Sequence, residues 1–582
     1  MNQTSIILSK PRDEVRITLD DGTILSGPYG TTLETFLTEG LHLSKITPTA
    51  ELLAAVGNGK LLELTHQVST DMHVQPITLA NSDGSRIYRR SLVLLMVTAI
   101  EELWPGTTVS VNYAIPDGGY YCELIGQPVT EDDIKKLEAH MRAIVDNDDL
   151  ITKRSITIDE ARDLFKRRSE LDKVRLLRFR HQDTITMYRL RGRDDYYYGY
   201  MVPSTAYLQT FKLVPANGGF ILQYPRKENP DVMQPITTLS KLITVFRQTD
   251  QWLERLGVED IGRLNQVVTQ DRIQELILVA EALHEQNVAS ISSQIVSRYD
   301  SGTRLVLIAG PSSSGKTTFA KRLAIQLLAH GLHPFTLELD NYFVDREHTP
   351  RDENGDYDFE SIHALNLPLF NENLIKLMDG ERVQIPNFNF LTGKSEAGKE
   401  IQLDDRQVII VEGIHGLNPN LVPAIPAERI FRVYVSALTQ LNIDLHNRVS
   451  TTDVRLLRRI VRDARRRGYS ATDTIARWPS VRRGEKTNIF PYQENADAMF
   501  NSALPYELTA LRRLAEPLLL QVEPRTRPHI EANRLLSFLR WVTPLNLDQM
   551  QLVPDTSLLR EFIGGSILDD YHPGATAIVD TD

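Results

Sequence analysis

The sequence predicts an α/β architecture: a P-loop domain built on a parallel sheet in the C-terminal half, preceded by a β-grasp-like module and an α+β domain. Three observations predict it. A β-branched apolar run leads into a glycine loop and then a helical pattern, "RLVLIAGPSSSGKTTFAKRLA". A second apolar run, "QVIIV", ends in Glu412. Near the N-terminus, "EVRITLDDGTILSGP" alternates apolar and polar residues around Asp21-Gly22, the mark of a hairpin.

Composition bounds the class. The chain has 582 residues, 41% of them hydrophobic, and a formal net charge of −11. That length predicts several ordinary globular cores. The acidic balance argues against a protein that coats nucleic acid, although a local basic patch is compatible with it. A single cysteine, Cys122, excludes a disulfide framework and a Cys-rich zinc module and suggests a reducing compartment. The N-terminus lacks a basic region followed by a long apolar run, and the longest apolar run, "LVLLMVTAI", is too short to span a bilayer. We expect a soluble, cytoplasmic, homo-oligomeric enzyme without membrane partners.

The glycine loop carries the first chemistry. Gly310, Gly315, Lys316 and Thr317 occupy the fixed positions of G-x-x-x-x-G-K-[ST]. "RLVLIAG" reads as a buried parallel strand, and Phe319, Ala320, Leu323, Ala324, Leu327 and Leu328 mark the buried face of the following helix, with Gly331 as its C-terminal cap. Glycines let backbone N–H groups close on phosphate oxygens, and the positive end of the helix points the same way. Gly310, Ser312, Ser313, Ser314, Gly315, Lys316, Thr317 and Thr318 are therefore expected to hold a nucleoside triphosphate. The Lys316 ammonium reaches the β/γ oxygens and the Thr317 hydroxyl binds Mg2+.

Downstream, "PFTLELDNYF" runs apolar to Leu339 and places Asp340 where a strand ends. The carboxyl ends of strands form the ligand crevice of open α/β sheets. There Asp340 can accept the proton of a substrate hydroxyl, or it can simply cap the next turn. Glu412 ends the second buried strand, either as an acidic metal-site residue or as a loop carboxylate. In "DVRLLRRIVRDARRRGYS", Arg455, Arg458 or Arg459, Arg462 and Arg466 share one helical face, with Leu456, Ile460 and Ala464 on another. Such a run is ordinarily a solvated face; in a nucleotide enzyme it can be a lid that neutralises phosphoryl charge.

Taken in order, the P-loop, "LDNYF", "YDFES", "IPNFNF", "VEGI" and the Arg-rich run resemble the uridine kinase/phosphoribulokinase family over residues 296–515. The resemblance implies a P-loop kinase fold, ATP and Mg2+, and transfer of the γ-phosphate to a hydroxyl of a nucleoside or related sugar. By position it implies Asp340 as general base, Lys316 and Arg462 as catalytic cations, Arg459 and Arg467 at the ATP phosphates, and Thr317 with Glu412 at the metal. It places the acceptor against Asp340, Tyr342, Phe359, Glu360 and Phe388. The chain departs from uridine kinases where the ribose-binding Asp becomes Glu360. The Tyr and His that read a pyrimidine are also gone, replaced within Phe388, Asn389, Phe390 and Gly393.

The N-terminal half resembles the TGS domain of threonyl-tRNA synthetases (1–74) and then their second N-terminal, editing domain (75–225). "AIEELWPGTTVSVNYAIPDGGYYCEL" and "STAYLQTFKLVPANGG" carry the second likeness. The positions of the editing H-x-x-x-H pair fall on Arg90 and Leu94, and those of the later Cys and His on Tyr197 and Met201. The resemblance therefore implies a regulatory or binding module without hydrolytic chemistry. A helical connector (226–295) and a C-terminal helical extension (516–582) complete the chain. An RNA- or ribosome-associated ATPase, docking through the TGS-like half, stays open as the alternative, with a possible RNA contact in that half.

Overall fold

The computed structural model describes residues 13–43, 50–237, 240–351, 355, 357–389, 392–404, 406–438 and 441–573. They form two compact units. The first comprises Met1–Thr237 together with Asn442–Arg448 and Glu523–Phe538; the second comprises Thr238–Leu441, Val449–Val522 and Leu539–Asp582. The expected 516–582 extension is thus divided between the units.

The first unit opens with the expected hairpin. In strand Glu14–Leu19, Val15, Ile17 and Leu19 point into the core while Glu14 and Arg16 face solvent, as period-2 alternation requires. It turns at Gly22, whose φ of 86° needs a residue without Cβ, and pairs antiparallel with Ile24–Pro28. Strand Met72–Thr78 lies parallel on its other side, followed by Leu52–Gly57 and Lys60–Glu63, and the helix Leu33–Leu43 buries Leu33, Phe36 and Leu37 against this sheet. This is a β-grasp. Next comes helix Ser82–Leu103, buried at every residue from Ser91 to Ile100. It accompanies a four-stranded antiparallel sheet (Lys212–Ala216, Gly219–Gln223, Gly119–Leu124, Val109–Ile115) and a three-stranded one (Arg193–Asp195, Thr184–Leu190, Thr152–Thr157).

Leu94 and Met201 are core side chains, Arg90 donates to the Tyr200 carbonyl at 2.7 Å, and Tyr197 is buried with its hydroxyl unpaired. Beside Tyr197 lies a charge cluster that sequence reading missed. Lys173 Nζ sits 2.6 and 2.8 Å from the Asp195 carboxylate, 3.2 Å from Glu170 and 2.8 Å from His446 Nδ1. Arg193 joins Glu170 at 2.6 Å and Asp195 at 3.2 Å, and the Tyr196 hydroxyl donates to Asp444. Burial would raise Asp195, yet Lys173, His446 and Arg193 hold it well below the carboxylate range.

The second unit carries a five-stranded parallel sheet: β1 (Leu305–Ala309), β2 (His333–Glu338), β3 (Gln407–Glu412), β4 (Ile430–Ser436) and β5 (Ala498–Asn501), in the order β2-β3-β1-β4-β5. Every residue of β1 is buried, as in a parallel strand covered on both faces. Helix α1 (Lys316–Ala329) follows the glycine loop and buries Phe319, Ala320, Leu323, Ala324 and Leu327. Leu328, expected on that face, is 43% exposed, because it lies at the edge of the stripe. Helices α2 (Thr451–Arg466) and α3 (Ala471–Asn488) follow β4, separated by Gly468 at φ 67°. The connector pattern "IQELILVAEALHEQ" lies in the helix Ile273–Tyr299. No helix of the described residues is long and apolar enough to cross a membrane.

Replacing Lys173 by Met removes the central cation while Asp195 and Glu170 stay buried. We expect Lys173→Met to cost about 3–5 kcal/mol, the range for breaking one side of a buried ion pair. Urea unfolding of the full chain checks this, and an unchanged midpoint would show that the cluster does not stabilise the unit.

Candidate active site

Three strand ends converge. β1 delivers the glycine loop, β3 ends at Glu412, and β2 gives way after Glu338 to a turn of 3-10 helix, Leu339–Tyr342, that contains Asp340. β3 lies between β1 and β2, with Glu412 in register with Ile308 on one side and Glu338 on the other.

The loop is tightly specified. A Cβ on Gly310 would lie 1.9 Å from the Val435 carbonyl, and one on Gly315 would meet Leu558 at 2.4 Å. Gly315 has φ 87°, and Ser313, which is not glycine, is held at φ 57°. Arginines of α2 do the holding. Arg455 Nε donates to the Ser312 carbonyl at 2.9 Å, and Arg459 Nη1 to the Ser312 hydroxyl at 2.7 Å. Arg458 reaches the Ser313 carbonyl at 3.5 Å and is paired with Glu507 at 2.6 Å. Glu485 of α3 accepts the Ser312 N–H at 3.1 Å and pairs with Arg455. Arg455 and Arg458 are fully buried, so the solvated-face reading of this run is corrected for them: they anchor the loop.

Lys316 Nζ lies 3.8 Å from Glu412 Oε1, and the Thr317 hydroxyl donates to Glu412 Oε2 at 3.2 Å. A hydroxyl and a carboxylate, both hard oxygen donors, fit Mg2+. The Ser313 and Ser314 hydroxyl oxygens are buried without a protein partner, which suits a loop that receives phosphate oxygens. Burial lifts the Glu412 carboxyl to about 7 against the pull of Lys316, with Asp340 and Glu561 adding repulsion.

Asp340 stays exposed to water in the open cleft. The protein around the cleft raises its pKa, Glu338 adds to this, and Lys316 and Arg467 oppose it. Glu360 is lifted to about 7 by desolvation, against Arg459 and Lys316. Its backbone carbonyl accepts from Asn488 at 2.7 Å, and Gly484 leaves its stem room, since a Cβ there would sit 2.4 Å from Glu360 Cβ. Asp340 and Glu360 therefore share one field with Lys316.

The remaining arginines gather on Asp463, a buried carboxylate absent from the sequence expectation. Arg462 Nη2 lies 2.8 Å from it, Arg459 Nε 3.2 Å and Arg467 Nε 3.8 Å. Arg462 is thereby turned to its own neighbour, whereas Arg467 is the arginine whose charge Asp340 feels.

Among the expected acceptor residues, the placement is uneven. Phe359 stands edge-on to Phe343 at 5.9 Å, and Phe388 packs on the same ring at 5.5 Å, buried. Tyr342 is fully buried against Phe370, its hydroxyl accepting from Asn373 at 3.2 Å. The ring beside Phe359 is therefore Phe343, and Tyr342 is packed as a core residue. Tyr342 and Phe343 also line a cavity of about 310 Å3 with Asp345, His348, Asn366 and Leu369. Gly393 has φ 72°, and a Cβ there would strike Arg346 at 2.9 Å. Phe390 lies outside the described residues.

Residues 305–510 match the sequence model of the Phosphoribulokinase / Uridine kinase family. The N-terminal region is similar to threonine–tRNA ligases: 29% identity over 208 residues with that of Desulforamulus reducens, covering 35% of this chain and 32% of the other. With that of Carboxydothermus hydrogenoformans the identity is 33% over 171 residues, covering 29% and 27%. The chain spans about a third of the length of these curated relatives. Among solved structures, a possible uridine kinase from Bacillus stearothermophilus aligns at 17% identity and TM-score 0.25, covering 37% of this chain and 97% of that one. The D-glycerate 3-kinase of Cryptococcus neoformans aligns at 14% and TM-score 0.21, covering 48% and 87%.

Glu360 sets a pH test. Its carboxyl rises from 4.5 to about 7 in the folded state, so between those values the native protein holds the proton more tightly. Stability contributed by this group therefore falls as pH rises from 4.5 to 7. Discounted for the water reaching a partly exposed side chain, the effect is about 1–2 kcal/mol. Glu360→Gln should gain that much on the wild type between pH 5 and pH 8 in urea unfolding; a constant difference would refute the shift.

Proposed function

We propose that the chain is an ATP-dependent kinase that transfers the γ-phosphate to a hydroxyl of a nucleoside or related sugar, with Mg2+ as cofactor. The observation that carries this reading is the convergence of a phosphate-binding loop, Lys316, and a cleft carboxylate, Asp340, at the carboxyl ends of three parallel strands. A switch ATPase needs only a positioned water, whereas Asp340 has the place and the raised pKa of a base for a hydroxyl nucleophile.

In this reading the loop N–H groups bind the phosphates, and Lys316 offsets the charge that grows on the transferring group. Asp340 takes the proton from the acceptor hydroxyl oxygen. Arg459 and Arg467 would add positive charge at the phosphates, and Arg462, held on Asp463, would have to leave that carboxylate to join them. Thr317 and Glu412 would hold Mg2+, which when bound would supply positive charge against the phosphate oxygens.

The acceptor pocket does not favour a pyrimidine. Where uridine kinases carry a base-reading His, Gly393 has no room for a side chain, because Arg346 fills it. Phe388 is committed to Phe343. A pocket without those hydrogen-bonding groups discriminates by only about 1–3 kcal/mol per contact.

The RNA-docking ATPase is the second reading, favoured by the similarity of the N-terminal region to threonine–tRNA ligases. In either case that half is proposed as a binding or regulatory module. Core packing at Leu94 and Met201 and the buried Tyr197 support hydrolytic silence.

Two outcomes test the kinase. Asp340→Asn should keep ATP binding and lose about 10²–10⁴-fold in turnover, whereas Lys316→Ala should lose most transfer outright. Undiminished turnover in Asp340→Asn would return the site to the switch reading. Across uridine, cytidine, adenosine, guanosine and free sugars, kcat/KM should be poor for the pyrimidine nucleosides; a tenfold preference for uridine would restore it as acceptor.

A further inference from the structure

The C-terminal segment of the second unit reaches the phosphate loop. Leu558, Leu559 and Phe562 are buried, and Leu558 closes over Gly315 so tightly that a Cβ there would lie 2.4 Å from Leu558 Cδ2. Between them Glu561 Oε2 accepts from the Thr318 hydroxyl at 2.9 Å and from the Thr318 N–H at 3.3 Å. The segment is clamped on both sides. Lys321 Nζ donates to the Leu568 carbonyl at 2.6 Å and the Asp569 carbonyl at 3.0 Å, while Arg466 pairs with the Asp569 carboxylate at 2.5 Å. Arg458, which anchors the loop, lies over the Phe562 ring at 5.0 Å.

Thr318 directly follows the lysine and threonine of the motif, in the first turn of the fourteen-residue α1. Its N–H is one of the donors at that helix end without a carbonyl partner inside the helix, which a P-loop offers to the α/β-phosphates. A carboxylate and a phosphate oxygen are the same kind of ligand to such donors, acceptor-only and anionic, so both cannot hold them together. A Glu near a helix N-terminus is ordinarily a modest stabiliser of the helix. Here it comes from more than two hundred residues away, on a segment fastened to both α1 and α2.

We propose that Glu561 is an intrinsic competitor of the nucleotide: it occupies the Thr318 donors, and binding of a nucleotide's phosphates displaces it, loosening the Arg560–Ile563 turn from α1. This rests on the reading of the loop as a nucleotide site, and deepens it into a device by which the C-terminal segment reports and limits occupancy. The charge of Glu561 also repels the incoming phosphates, an effect added to the competition for donors.

The test measures binding without any acceptor. Titrations of the full chain with mant-ADP and with inorganic tripolyphosphate compare wild type, Glu561→Gln and Glu561→Ala. Loss of mant-ADP binding in Lys316→Ala secures the nucleotide reading independently. We expect Glu561→Ala to bind both probes about tenfold tighter, as for removal of one charge-assisted competitor, with the isosteric Glu561→Gln in between. Hydrogen exchange of residues 555–565 should quicken in wild type when ADP is added. Equal or weaker binding in Glu561→Gln would overturn the proposal, as would a gain for mant-ADP without one for tripolyphosphate, which would place Glu561 against the ribose or base. Should Glu561→Ala fail to fold, Glu561→Gln and the exchange experiment decide the matter.

Discussion

The phosphate loop depends on one buried ion pair. Arg455 and Glu485 grip Ser312 from opposite sides, the guanidinium donating to its carbonyl and the carboxylate accepting its N–H. The grip also enforces strain: Ser313 at φ 57° occupies a backbone region that costs a residue other than glycine about 1–3 kcal/mol, whereas Gly315 takes its φ of 87° freely. Charge-assisted hydrogen bonds in a dry interior are strong enough to enforce that strain. Arg458, one turn further along α2 and backed by Glu507, holds the next carbonyl. The donors of α1 are thus aimed before any ligand arrives, which spares binding the cost of ordering them. The same arrangement is brittle, since removing one partner strands a charge in the core.

Around this fixed loop the charges of the cleft remain unbalanced in both directions. Burial and repulsion by Arg462 hold the Arg459 and Arg467 guanidinium groups below their ordinary pKa, with Asp463 only partly compensating. On the facing side, burial lifts the Glu412 and Glu360 carboxyls to about 7, and Asp340 adds repulsion to each. An anion beside the arginines and a hard cation beside Glu412 would relieve both strains at once, which is what the proposed kinase reading would bring to the cleft.

What could be read from the sequence was whatever has a local period or a strand end. The hairpin at Asp21-Gly22, the strand–loop–helix around Lys316, and the carboxylates at the ends of β2 and β3 all belong to short patterns. The arginine run was visible, but its division of labour was not. Arg455 and Arg458 are buried because Glu485 and Glu507 wait on other helices, 30 and 49 residues on, while Arg462 and Arg467 stay at the rim with Asp463. The packing of Tyr342 was hidden for a similar reason: its hydroxyl is satisfied by Asn373, 31 residues away, which no local pattern announces. Glu561, 243 residues from Thr318, was beyond any such reading.

The first unit shows the same limit from the other side. Its sequence lacks the metal-binding residues of the domain it resembles, which suggests an inert core, yet the core retains Asp195 at 0% exposure. A buried carboxylate is tolerated only with counter-charges and hydrogen bonds. Lys173 and Arg193 supply the charges from nearby sequence, and His446 and the Asp444 loop complete the cluster from the stretch between β4 and α2. The unit is therefore not closed by its own contiguous segment: Asn442–Arg448 is part of its fold. Three residues beyond Arg448 the chain becomes α2, the helix that carries Arg455 and Arg458. The stretch that neutralises one unit's core thus leads directly into the helix that shapes the other's phosphate loop, so the two units exchange segments of chain as well as following one another along it.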